Sequence, residues 1–446
     1  MIDMMRRLNN DSPADRADVF ALVQRLKGST AGSGEMAESV NRIIEDVRAN
    51  GDDAVVKYMR QWTNPSFSGD MIRVSQDEMA AAESSLDSNI RDALKRSIEH
   101  VRAYQGHIMP DDPDPITIDG AELGLRFTPI GRVGLHVPGG RAAYPSTVIM
   151  LGVPAQVAGV GSLCVVCPPP TVTGDATDQR VDVSPLVLGT CHLLGIDEVY
   201  RIGGAQAIAA LTYGTDAVKP VDFIAGPGNS FVQQAKRQLF GLIGIDGFFG
   251  PSEVVILADK SANPDWVAAD LIAQAEHDPG CCFLLSTDAS VLDGIIAAVE
   301  KQLGQRKRQS AIVQALRDWS AAIEVASEAD AFELMDALAA EHVTLAVADP
   351  KATLSQVRNG GAWFLGHQSP VASGDYYAGP SHCLPTGTTA RYSSGLSVYT
   401  FLKRSSVEGY IDRPGDQTIR DIASLAEAEG LDGHAHSVRV RGQASG

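Results

Sequence analysis

The sequence predicts an α/β protein with two doubly wound domains, a helical N-terminal region and a polar, mostly helical C-terminal tail. The chain has 446 residues, which is more than one hydrophobic core usually supports. In its middle part, short apolar runs alternate with amphipathic stretches, as is typical of parallel sheets with helices on both faces. Past residue 396 this alternation gives way to polar sequence. These three observations decide the predicted architecture.

Residues 12 to about 105 are predicted to be mostly helical. Apolar residues recur at helical spacing within residues 39–49, and Gly51 follows as a predicted C-cap. Residues 89–104 form a second amphipathic pattern, with charged residues on the opposite face. Residues 109–120 combine prolines with acidic residues and are predicted to be a connection.

The alternating part of the chain consists of short apolar runs and longer helical stretches. The predicted strands cover residues 163–166, 198–202, 223–225, 254–258, 282–285, 323–326, 343–347 and 363–365. The predicted helices among them cover residues 185–194, 206–213, 230–240, 266–272 and 329–338. Strands that alternate with helices in this way are expected to pair in parallel.

The composition excludes several classes of partner. The formal net charge is −18, whereas binding to nucleic acid or to an anionic membrane needs clustered lysine and arginine. No apolar run is long enough to span a bilayer, and residues 1–11 lack the apolar segment of a signal peptide. The six cysteines suit a reducing compartment. We therefore expect a cytoplasmic protein with no nucleic-acid and no membrane partner.

Two cysteine pairs are interpreted as packing residues. Cys164 and Cys167 have the spacing of metal ligands, but they lie in an apparent strand, where residues three apart point to opposite faces. Cys281 and Cys282 are adjacent in another apparent strand and also point in opposite directions. Buried positions in the sheets explain both pairs.

Glycine-rich turns at strand ends favour a nucleotide crevice. No GxGxxG motif follows a strand, so the ordinary dinucleotide fingerprint is missing. Ligands of open α/β sheets bind outside the carboxyl ends of strands, where glycine lets the backbone approach a phosphate. Plain turn geometry also explains each glycine alone, but several such turns in one half of the chain favour the crevice. They lie at residues 139–140, 203–206, 226–229 and 250–252.

One predicted helix ends in two candidate metal ligands. Its apolar residues recur at helical spacing from Trp266, and residues 279–280 are a Pro-Gly stop signal. If the helix extends to Asp278, Gln274 and His277 share one face, and their carboxamide oxygen and imidazole can hold one cation. A zinc site needs about four protein ligands, or three and an open position. The other ligands must therefore come from elsewhere in the chain.

Taken together, the motifs resemble the histidinol dehydrogenase family. The resemblance covers nearly the whole chain from about residue 35 onward. The motifs that carry it are Gly134-Leu-His-Val-Pro-Gly-Gly140, Gly203-Gly-Ala-Gln-Ala207, Gly226-Pro-Gly-Asn229, Gly250-Pro-Ser-Glu253, Gln274-Ala-Glu-His-Asp278, Glu341-His342, Gly374-Asp375, Gly379-Pro-Ser-His382, Ala390-Arg-Tyr-Ser-Ser394 and Glu429-Gly-Leu-Asp-Gly-His434. So many blocks in the same order identify the chain as a member of this family, although no single block would.

The resemblance implies a zinc site. The family holds zinc with the glutamine and histidine of this helix end, an aspartate, and a histidine near the C-terminus, which fall on Gln274, His277, Asp375 and His434. Two oxygens and two nitrogens are a plausible ligand set for zinc. Without the resemblance, the same residues also fit ordinary polar positions at a helix end, in a loop and in a polar tail.

The resemblance also assigns catalysis to the adjacent pair Glu341 and His342, which lies where a predicted helix ends and a predicted strand begins. His342 would take the proton of the alcohol as hydride leaves for NAD, because an imidazole titrates near the working pH. Glu341 would activate the water that attacks the aldehyde, and a second NAD would oxidise the hydrate. Zinc in this family mainly orients the amine and imidazole of the substrate. From its residues alone, the pair also fits a solvated helix end.

Further contacts to cofactor and substrate follow from the same matching. NAD contacts fall on His136, Gln206 and Asn229. The implied substrate-binding positions are Ser252, Gln274, His277, His342, Asp375, His382, Glu429 and His434. The alternative roles are a turn or helix cap for Ser252 and Asn229, and a surface carboxylate for Glu429.

Three motifs depart from the usual family pattern. His136 stands where the family usually has a tyrosine that contacts NAD, so the geometry of this contact differs. The usual Pro-Glu-His-Leu-Glu is Ala340-Glu-His-Val-Thr344 here, and the usual Asn-His is Ser381-His382. No departure removes a metal ligand or a catalytic group.

The resemblance further implies incomplete Rossmann-like domains and an interlocked homodimer. In such a dimer the tail of one subunit completes the active site of the other, so Glu429 and His434 are expected to act across the interface. The predicted units are an N-terminal extension (1–34), a first α/β domain with the metal ligands and the catalytic pair (35–135 and 253–396), an NAD-binding α/β domain (136–252) and the exchanged tail (397–446).

We therefore expect an NAD- and zinc-dependent oxidation of L-histidinol to L-histidine through histidinal, the last step of histidine biosynthesis. One alternative is a related enzyme for another polar primary alcohol, such as a sulfonated diol. Glu429 and His382 favour histidinol, because its amine and imidazole need such partners. The other alternative is a non-catalytic binding protein on the same fold, which the intact Glu341 and His342 argue against.

Overall fold

The structure is a computed structural model that describes residues 5–29, 34–139, 143–170, 182–277 and 280–443. Its strands, in chain order, are β1 (Arg6–Asn9), β2 (Ile116–Ile118), β3 (Ala121–Pro129), β4 (Arg132–His136), β5 (Ser162–Val166), β6 (Glu198–Tyr200), β7 (Phe223–Ala225), β8 (Gly244–Ile245), β9 (Ser252–Ala258), β10 (Gly280–Ser286), β11 (Ala321–Glu324), β12 (His342–Ala346), β13 (Ala362–Leu365) and β14 (Leu402–Tyr410).

The helices cover most of the remaining described chain. They are α1 (Pro13–Ser29), α2 (Gly34–Trp62), α3 (Gln76–Ser84), α4 (Ser88–His107), α5 (Pro145–Val157), α6 (Pro185–Leu193), α7 (Gly204–Tyr213), α8 (Ser230–Leu239), α9 (Pro264–Ala275), α10 (Ala289–Leu303), α11 (Gln309–Trp319), α12 (Glu328–Leu338), α13 (Pro350–Leu354), α14 (Val371–Tyr376), α15 (Asp416–Ala428) and α16 (Asp432–Gln443). Short 3-10 helices lie at Gly69–Met71, Thr389–Arg391 and Val398–Phe401. In the described residues, no helix combines the length and apolar character needed to cross a membrane.

The N-terminal region is helical, as predicted. α2 is interrupted at Gly51, whose φ of +51° is a left-handed conformation that glycine adopts without a steric penalty. Two helical segments continue on either side of this residue. α4 starts where the Asp87 carboxylate accepts hydrogen bonds from the N–H groups of Asn89 and Ile90. The predicted break and the second amphipathic helix are therefore confirmed.

A six-stranded, fully parallel sheet has the order β1-β11-β10-β9-β12-β13. Val254 and Ile256 of β9 pack with α9, α10 and α11 on one face. Val255 and Leu257 of the same strand pack with α1 and α12 on the other. Because consecutive side chains of a strand point to opposite faces, an unbroken apolar run buries both faces of the sheet. This sheet is doubly wound, as predicted.

The second parallel sheet has five strands in the order β6-β5-β4-β7-β8. Cys164 and Val166 of β5 pack with α2, α7 and α8. Val165 and Cys167 pack with α4, α5 and α6 on the opposite face. The six cysteines are all buried and free, so the interpretation of Cys164 and Cys167 as packing residues is confirmed.

A third, antiparallel sheet was missed in the tail. β14 pairs with β3 over nine residues, from Leu402 opposite Pro129 to Tyr410 opposite Ala121, and β3 also pairs with β2. The expectation of a mostly helical tail is thus wrong for β14, although α15 and α16 follow it. The side chains of β14 are mostly exposed, so backbone pairing with β3, and not burial, determines this strand.

Two strands fall on the other side of a predicted boundary. β1 lies in the predicted N-terminal extension but pairs with β11 of the six-stranded sheet. β4 was expected to close the first domain, yet it pairs with β5 and β7, because Val133 and Leu135 insert into the core of the five-stranded sheet. The division of the chain into domains otherwise stays a prediction.

Arg132 links the amino ends of three strands of the five-stranded sheet. Its guanidinium donates to both carboxylate oxygens of Glu198, at 3.2 and 2.7 Å, and also to the hydroxyl of Ser162. The guanidinium, together with the Tyr200 hydroxyl, lowers the pKa of Glu198 to about 2. Both side chains of the Arg132–Glu198 pair are largely buried.

We predict that Glu198 makes folding sensitive to acid. Because its folded-state pKa of about 2 lies below the ordinary 4.5, its contribution is full above pH 4.5 and is lost as the pH falls through 2. That contribution is at most about 3 kcal/mol. Urea unfolding between about pH 6 and pH 3 should show a steeper loss of stability for the wild type than for Glu198→Gln. Equal pH dependence in the two proteins would contradict this assignment.

Candidate active site

The predicted catalytic pair lies at the amino end of β12, and the predicted substrate contact Ser252 lies at the amino end of the neighbouring strand β9. β9 begins at Ser252 and β12 at His342, and the strands pair in parallel with His342 opposite Val254. The turn at residues 250–252 therefore lies at the amino end of its strand. Its predicted place at a carboxyl end, beside a nucleotide crevice, is wrong. The other three glycine-rich turns do follow strands, namely β4, β6 and β7.

A chain of hydrogen bonds joins Gln274 to Glu341 through Ser252. The Gln274 Nε2 donates to Ser252 Oγ at 2.7 Å, and this hydroxyl donates to Glu341 Oε2 at 2.5 Å. The same carboxylate oxygen accepts from the backbone N–H of Glu253 at 3.0 Å. These bonds fix the orientation of the Gln274 amide and leave its Oε1 buried without a hydrogen-bond partner.

Glu341 is a carboxyl group suited to proton transfer near neutral pH. Burial, which disfavours the charged form, raises its pKa to about 7, against the opposing effect of the Ser252 hydroxyl and the Glu253 N–H. A base whose pKa lies near the working pH combines a useful fraction of carboxylate with a sufficient affinity for the proton. This is the property that activation of a water molecule requires.

His342 is placed as a neutral base. Its Nδ1 lies 3.1 Å from the backbone carbonyl of Glu253, and since a carbonyl only accepts, Nδ1 carries the hydrogen. Nε2 is then the basic nitrogen, and it lies 3.8 Å from Asp375 Oδ1. Burial lowers the pKa of His342, while the Asp375 carboxylate opposes this effect. The neutral ring can accept a proton from a substrate hydroxyl.

Asp375 and His382 continue the same group of residues. His382 Nδ1–H donates to the backbone carbonyl of Asp375 at 3.0 Å, and the hydroxyl of Thr147, on α5, donates to His382 Nε2 at 3.2 Å. Burial lowers the pKa of His382 to about 4 and raises that of Asp375. A cavity of about 650 Å³ has His342, Asp375 and His382 on its wall, which is enough room for a small amino alcohol.

The predicted shared helix face of Gln274 and His277 is not formed. α9 ends at Ala275, and His277 follows in a turn whose N–H donates to the Gln274 carbonyl at 3.2 Å. Gln274 is buried, whereas the side chain of His277 is exposed. Asp278 lies outside the described residues. The two candidate ligands are thus close in the chain but come from a helix end and the turn after it.

The structure does not bring Glu429 and His434 to this group. Both are exposed on the hairpin of α15 and α16, whose helices pack against each other through a small apolar cluster. Within the described residues, no cluster of three or more His, Cys, Asp or Glu side chains could hold a metal ion. Of the four predicted zinc ligands, His434 thus lies apart from Gln274, His277 and Asp375.

The three residues nonetheless fit a zinc ion. The Gln274 Oε1 is a buried hydrogen-bond acceptor without a donor. Burying such an atom costs free energy unless it binds a cation or accepts a hydrogen bond. An amide oxygen, an imidazole nitrogen and a carboxylate oxygen are ligand types that zinc accepts. Asp375 has no basic side chain in an ion pair other than His342 among the described residues.

We predict that Gln274→Ala and His277→Ala each weaken zinc binding by at least about 100-fold, more than the usual loss when only a supporting residue is changed. Turnover should be lost with the metal, while the circular-dichroism spectrum and the oligomeric state stay unchanged. Metal content after dialysis, measured by mass spectrometry, tests this. Glu276→Ala is the matched control, because this residue lies between the two ligands and should keep zinc. Unchanged metal content in either ligand variant would refute the assignment.

A second cavity of about 380 Å³ contains two of the predicted NAD contacts, Gln206 and Asn229, together with the glycines of the turns after β4 and β6. A Cβ on Gly203 would lie 2.6 Å from the Pro168 ring, so only glycine fits this wall. Asn229 also caps α8, since its Oδ1 accepts from the N–H groups of Phe231 and Val232. The capping role is thus present, and an NAD contact of Asn229 stays a prediction.

The turn that carries Asn229 is held by a buried ion pair. Lys236 Nζ donates to the Gly226 carbonyl at 3.1 Å and pairs with Asp246, whose other oxygen accepts from the Gly226 N–H at 2.6 Å. His136 Nδ1 lies 2.6 Å from the Pro227 carbonyl in the same turn. Burial lowers the pKa of His136 to about 4. His136 is therefore a neutral support of the turn, and its contact with NAD stays a prediction.

Two residues of the site were missed in the sequence. Glu253 contacts both predicted catalytic residues through its backbone, and Thr147, on a helix that packs against the five-stranded sheet, holds His382. The sequence does indicate a role for Glu253, because a carboxylate at the start of an otherwise apolar strand must find a hydrogen-bond partner or be neutral. It indicates none for Thr147, since its partner lies 235 residues away.

Comparisons with known proteins agree on one family. A family model described as histidinol dehydrogenase matches residues 26–442. The histidinol dehydrogenase of Agrobacterium fabrum is 45% identical over 416 residues, which cover 91% of this chain and 93% of that protein. That of Gluconobacter oxydans is 41% identical over 442 residues, which cover 98% and 99%. A crystal structure of histidinol dehydrogenase from Elizabethkingia anophelis has a TM-score of 0.90 and 32% identity, and covers 99% of this chain and 98% of that one.

Proposed function

The chain belongs to the histidinol dehydrogenase family, and on that basis we propose that it oxidises L-histidinol to L-histidine through histidinal, with zinc and two NAD per substrate. The observation that carries this proposal is the contact between two buried proton-accepting side chains and two candidate metal ligands. Glu341 and His342 are buried and connected by hydrogen bonds or close contact to Gln274 and Asp375. An oxidoreductase without candidate metal ligands beside its bases would have no group to bind the amine and imidazole of a histidinol-like substrate.

His342 serves the first oxidation. Its Nε2 accepts the hydroxyl proton of the alcohol while the hydrogen on the adjacent carbon leaves with its electron pair. The products of this step are the aldehyde, a protonated imidazole and a reduced cofactor. The Glu253 carbonyl, bonded to Nδ1 at 3.1 Å, stabilises the imidazolium that forms, because its dipole points at the developing charge.

Glu341 serves the second oxidation. Its carboxylate accepts a proton from water as the water oxygen bonds to the aldehyde carbon. The imidazolium of His342 returns its proton to the carbonyl oxygen, which gives the hydrate and a neutral imidazole. His342 then accepts a hydroxyl proton of the hydrate as a second hydride leaves. The product is the carboxylic acid, which loses its remaining proton to solvent at neutral pH. Because the two bases are neighbours, with His342 Nδ1 3.6 Å from Glu341 Oε2, the water and the substrate hydroxyl groups can be deprotonated in turn without moving the substrate.

The two cofactors have separate tasks in this proposal. Zinc, held by Gln274, His277, Asp375 and the partner's His434, would bind the amine and imidazole of the substrate and so orient its hydroxyl towards His342. NAD would accept the hydrides. We assign it to the cavity with Gln206 and Asn229, where His136 supports the turn that carries Asn229. The carboxyl ends of β4, β6 and β7 at this cavity suit a dinucleotide.

A homodimer completes the site in this proposal. The hairpin of α15 and α16 and the connection between β14 and α15 expose large apolar side chains, including Leu425 at 68% and Ile411 at 83% exposure. Such side chains suit burial by a second copy of the chain. Its tail would then bring Glu429 and His434 to the Gln274 group, with the former contacting the substrate alongside His382. The six free cysteines suit the reducing cytoplasm that we propose as the location.

The assay that tests this function offers the zinc-loaded protein a panel of alcohols with NAD. We expect NADH from L-histidinol and, at equal concentration, at least about 100-fold less from a sulfonated diol or a simple primary alcohol, because only histidinol carries both metal-binding groups. Preference for the sulfonated diol would identify an enzyme for another polar alcohol. Tight NAD binding without turnover of any alcohol would support a binding protein and refute the proposed activity.

A further inference from the structure

A single residue, Glu253, forms backbone hydrogen bonds with both proposed catalytic residues. Its backbone N–H donates to Glu341 Oε2 at 3.0 Å, and its backbone carbonyl lies 3.1 Å from His342 Nδ1. A shift or rotation at residue 253 would therefore displace the carboxylate and the imidazole together. Displacements of about 1 Å in an active site can lower a rate by about 100-fold.

The side chain of Glu253 ties this position to a distant loop. The residue is completely buried, and its Oε1 accepts from the backbone N–H of Gly387 at 2.7 Å. A second bond of the same kind lies beside it, where the Gly250 N–H donates to Thr386 Oγ1 at 2.6 Å. The segment before β9 is thus bonded to the loop at residues 386–387 at two points, one of which is the Glu253 carboxyl group.

The carboxyl group is suited to this role in its neutral form. Burial, with the neighbouring Glu341 carboxylate, raises the pKa of Glu253 to about 8, although the Gly387 N–H opposes the shift. No basic side chain forms an ion pair with it among the described residues, and its Oε2 is buried without a partner. A neutral group keeps the accepting oxygen for Gly387 and adds no negative charge beside Glu341.

We propose that Glu253 is a positioning residue of the reaction, whose carboxyl group fixes its own peptide through Gly387 and so aligns Glu341 and His342 with the substrate. The inference rests on the proposed function, since it needs a reaction for these two residues to perform. Glu253 touches neither the substrate nor a cofactor in this account. Its removal should therefore lower kcat and leave the affinities for substrate and NAD unchanged.

Two substitutions separate this role from simple core packing. Glu253→Gln keeps the accepting oxygen at the same place without a charge, whereas Glu253→Leu fills a similar volume but cannot accept from Gly387. We expect the leucine variant to lose at least about 30-fold in kcat, with both KM values within about threefold of the wild type. The glutamine variant should restore kcat to within about threefold of the wild type.

The matched control is Thr344→Val, which changes a buried residue of the neighbouring strand β12 whose hydroxyl has no hydrogen-bond partner. This variant should keep full kcat. Zinc content and thermal unfolding are measured for every variant. If the leucine variant does not fold, Glu253→Asp replaces it, because the shorter carboxyl group does not reach Gly387, and the same loss of kcat is expected.

Several outcomes would overturn the inference. A variant without the Gly387 bond that keeps wild-type kcat would show that the bond does not align the site, and so would a glutamine variant as slow as the leucine variant. Loss of activity that tracks loss of zinc or a large rise in KM would assign Glu253 to binding. Failure of the proposed function is distinct, because the wild type itself would then form no NADH from L-histidinol.

Discussion

Replacing His342 with asparagine should lower kcat for NAD reduction by about 1,000-fold or more, which lies within the usual contribution of a general base. Asparagine can still donate to the Glu253 carbonyl from about the position of Nδ1, so the local structure should survive. The asparagine side chain cannot accept a proton at neutral pH, so neither the alcohol nor the hydrate loses its hydroxyl proton. Steady-state rates with saturating histidinol and NAD measure the effect.

His367→Asn is the control for this experiment. His367 follows β13 at the other end of the same sheet, and its Nε2 lies 3.2 Å from the Ser261 hydroxyl. The control should keep full activity, and both variants should keep zinc. A His342→Asn enzyme with more than about a tenth of the wild-type kcat would assign the proton transfer to another group.

The second large effect concerns the interface. His342→Asn and His434→Ala should each be nearly inactive as homodimers, because each variant lacks one part of every site. In a heterodimer of the two, the chain with intact His342 receives the intact tail of the other chain. One of the two sites is then complete, and the heterodimer should recover about half of the wild-type activity. Co-expression with two affinity tags yields this species.

A heterodimer that stays inactive would contradict the exchange of tails between subunits. If each tail completed its own subunit, every site of the heterodimer would lack either His342 or His434, and the activity would stay at the level of the parents. A heterodimer of His342→Asn with wild type is the control for folding and exchange, and it should also have about half of the wild-type activity under either arrangement.

The alternation of apolar runs and helices was enough to predict the two parallel sheets. Val254 to Leu257 are all apolar, and such a run satisfies two cores at once when helices cover both faces. The same reasoning placed Cys164 and Cys167 on opposite faces. The catalytic pair was predicted at a helix–strand junction, and Glu341 indeed lies between α12 and β12.

Features that depend on distant partners could not be predicted in this way. β14 forms because β3 offers an unpaired edge, and its own polar side chains give no sign of a strand. α9 ends at Ala275, earlier than its pattern allowed. The bond from Gly387 to Glu253 joins residues 134 positions apart. The spacing of apolar residues predicts which face of a single helix or strand is buried, whereas these contacts depend on how separate helices, strands and loops pack together.

The stoichiometry of NADH formation tests the central claim most directly. With a limiting amount of L-histidinol, excess NAD and the zinc-loaded dimer, the reaction should run to completion with two NADH and one histidine for each histidinol. This result follows from the proposed roles of His342 and Glu341, which would take the same substrate through two oxidations at one site. One NADH per histidinol with accumulated aldehyde, or no NADH at all, would contradict the account.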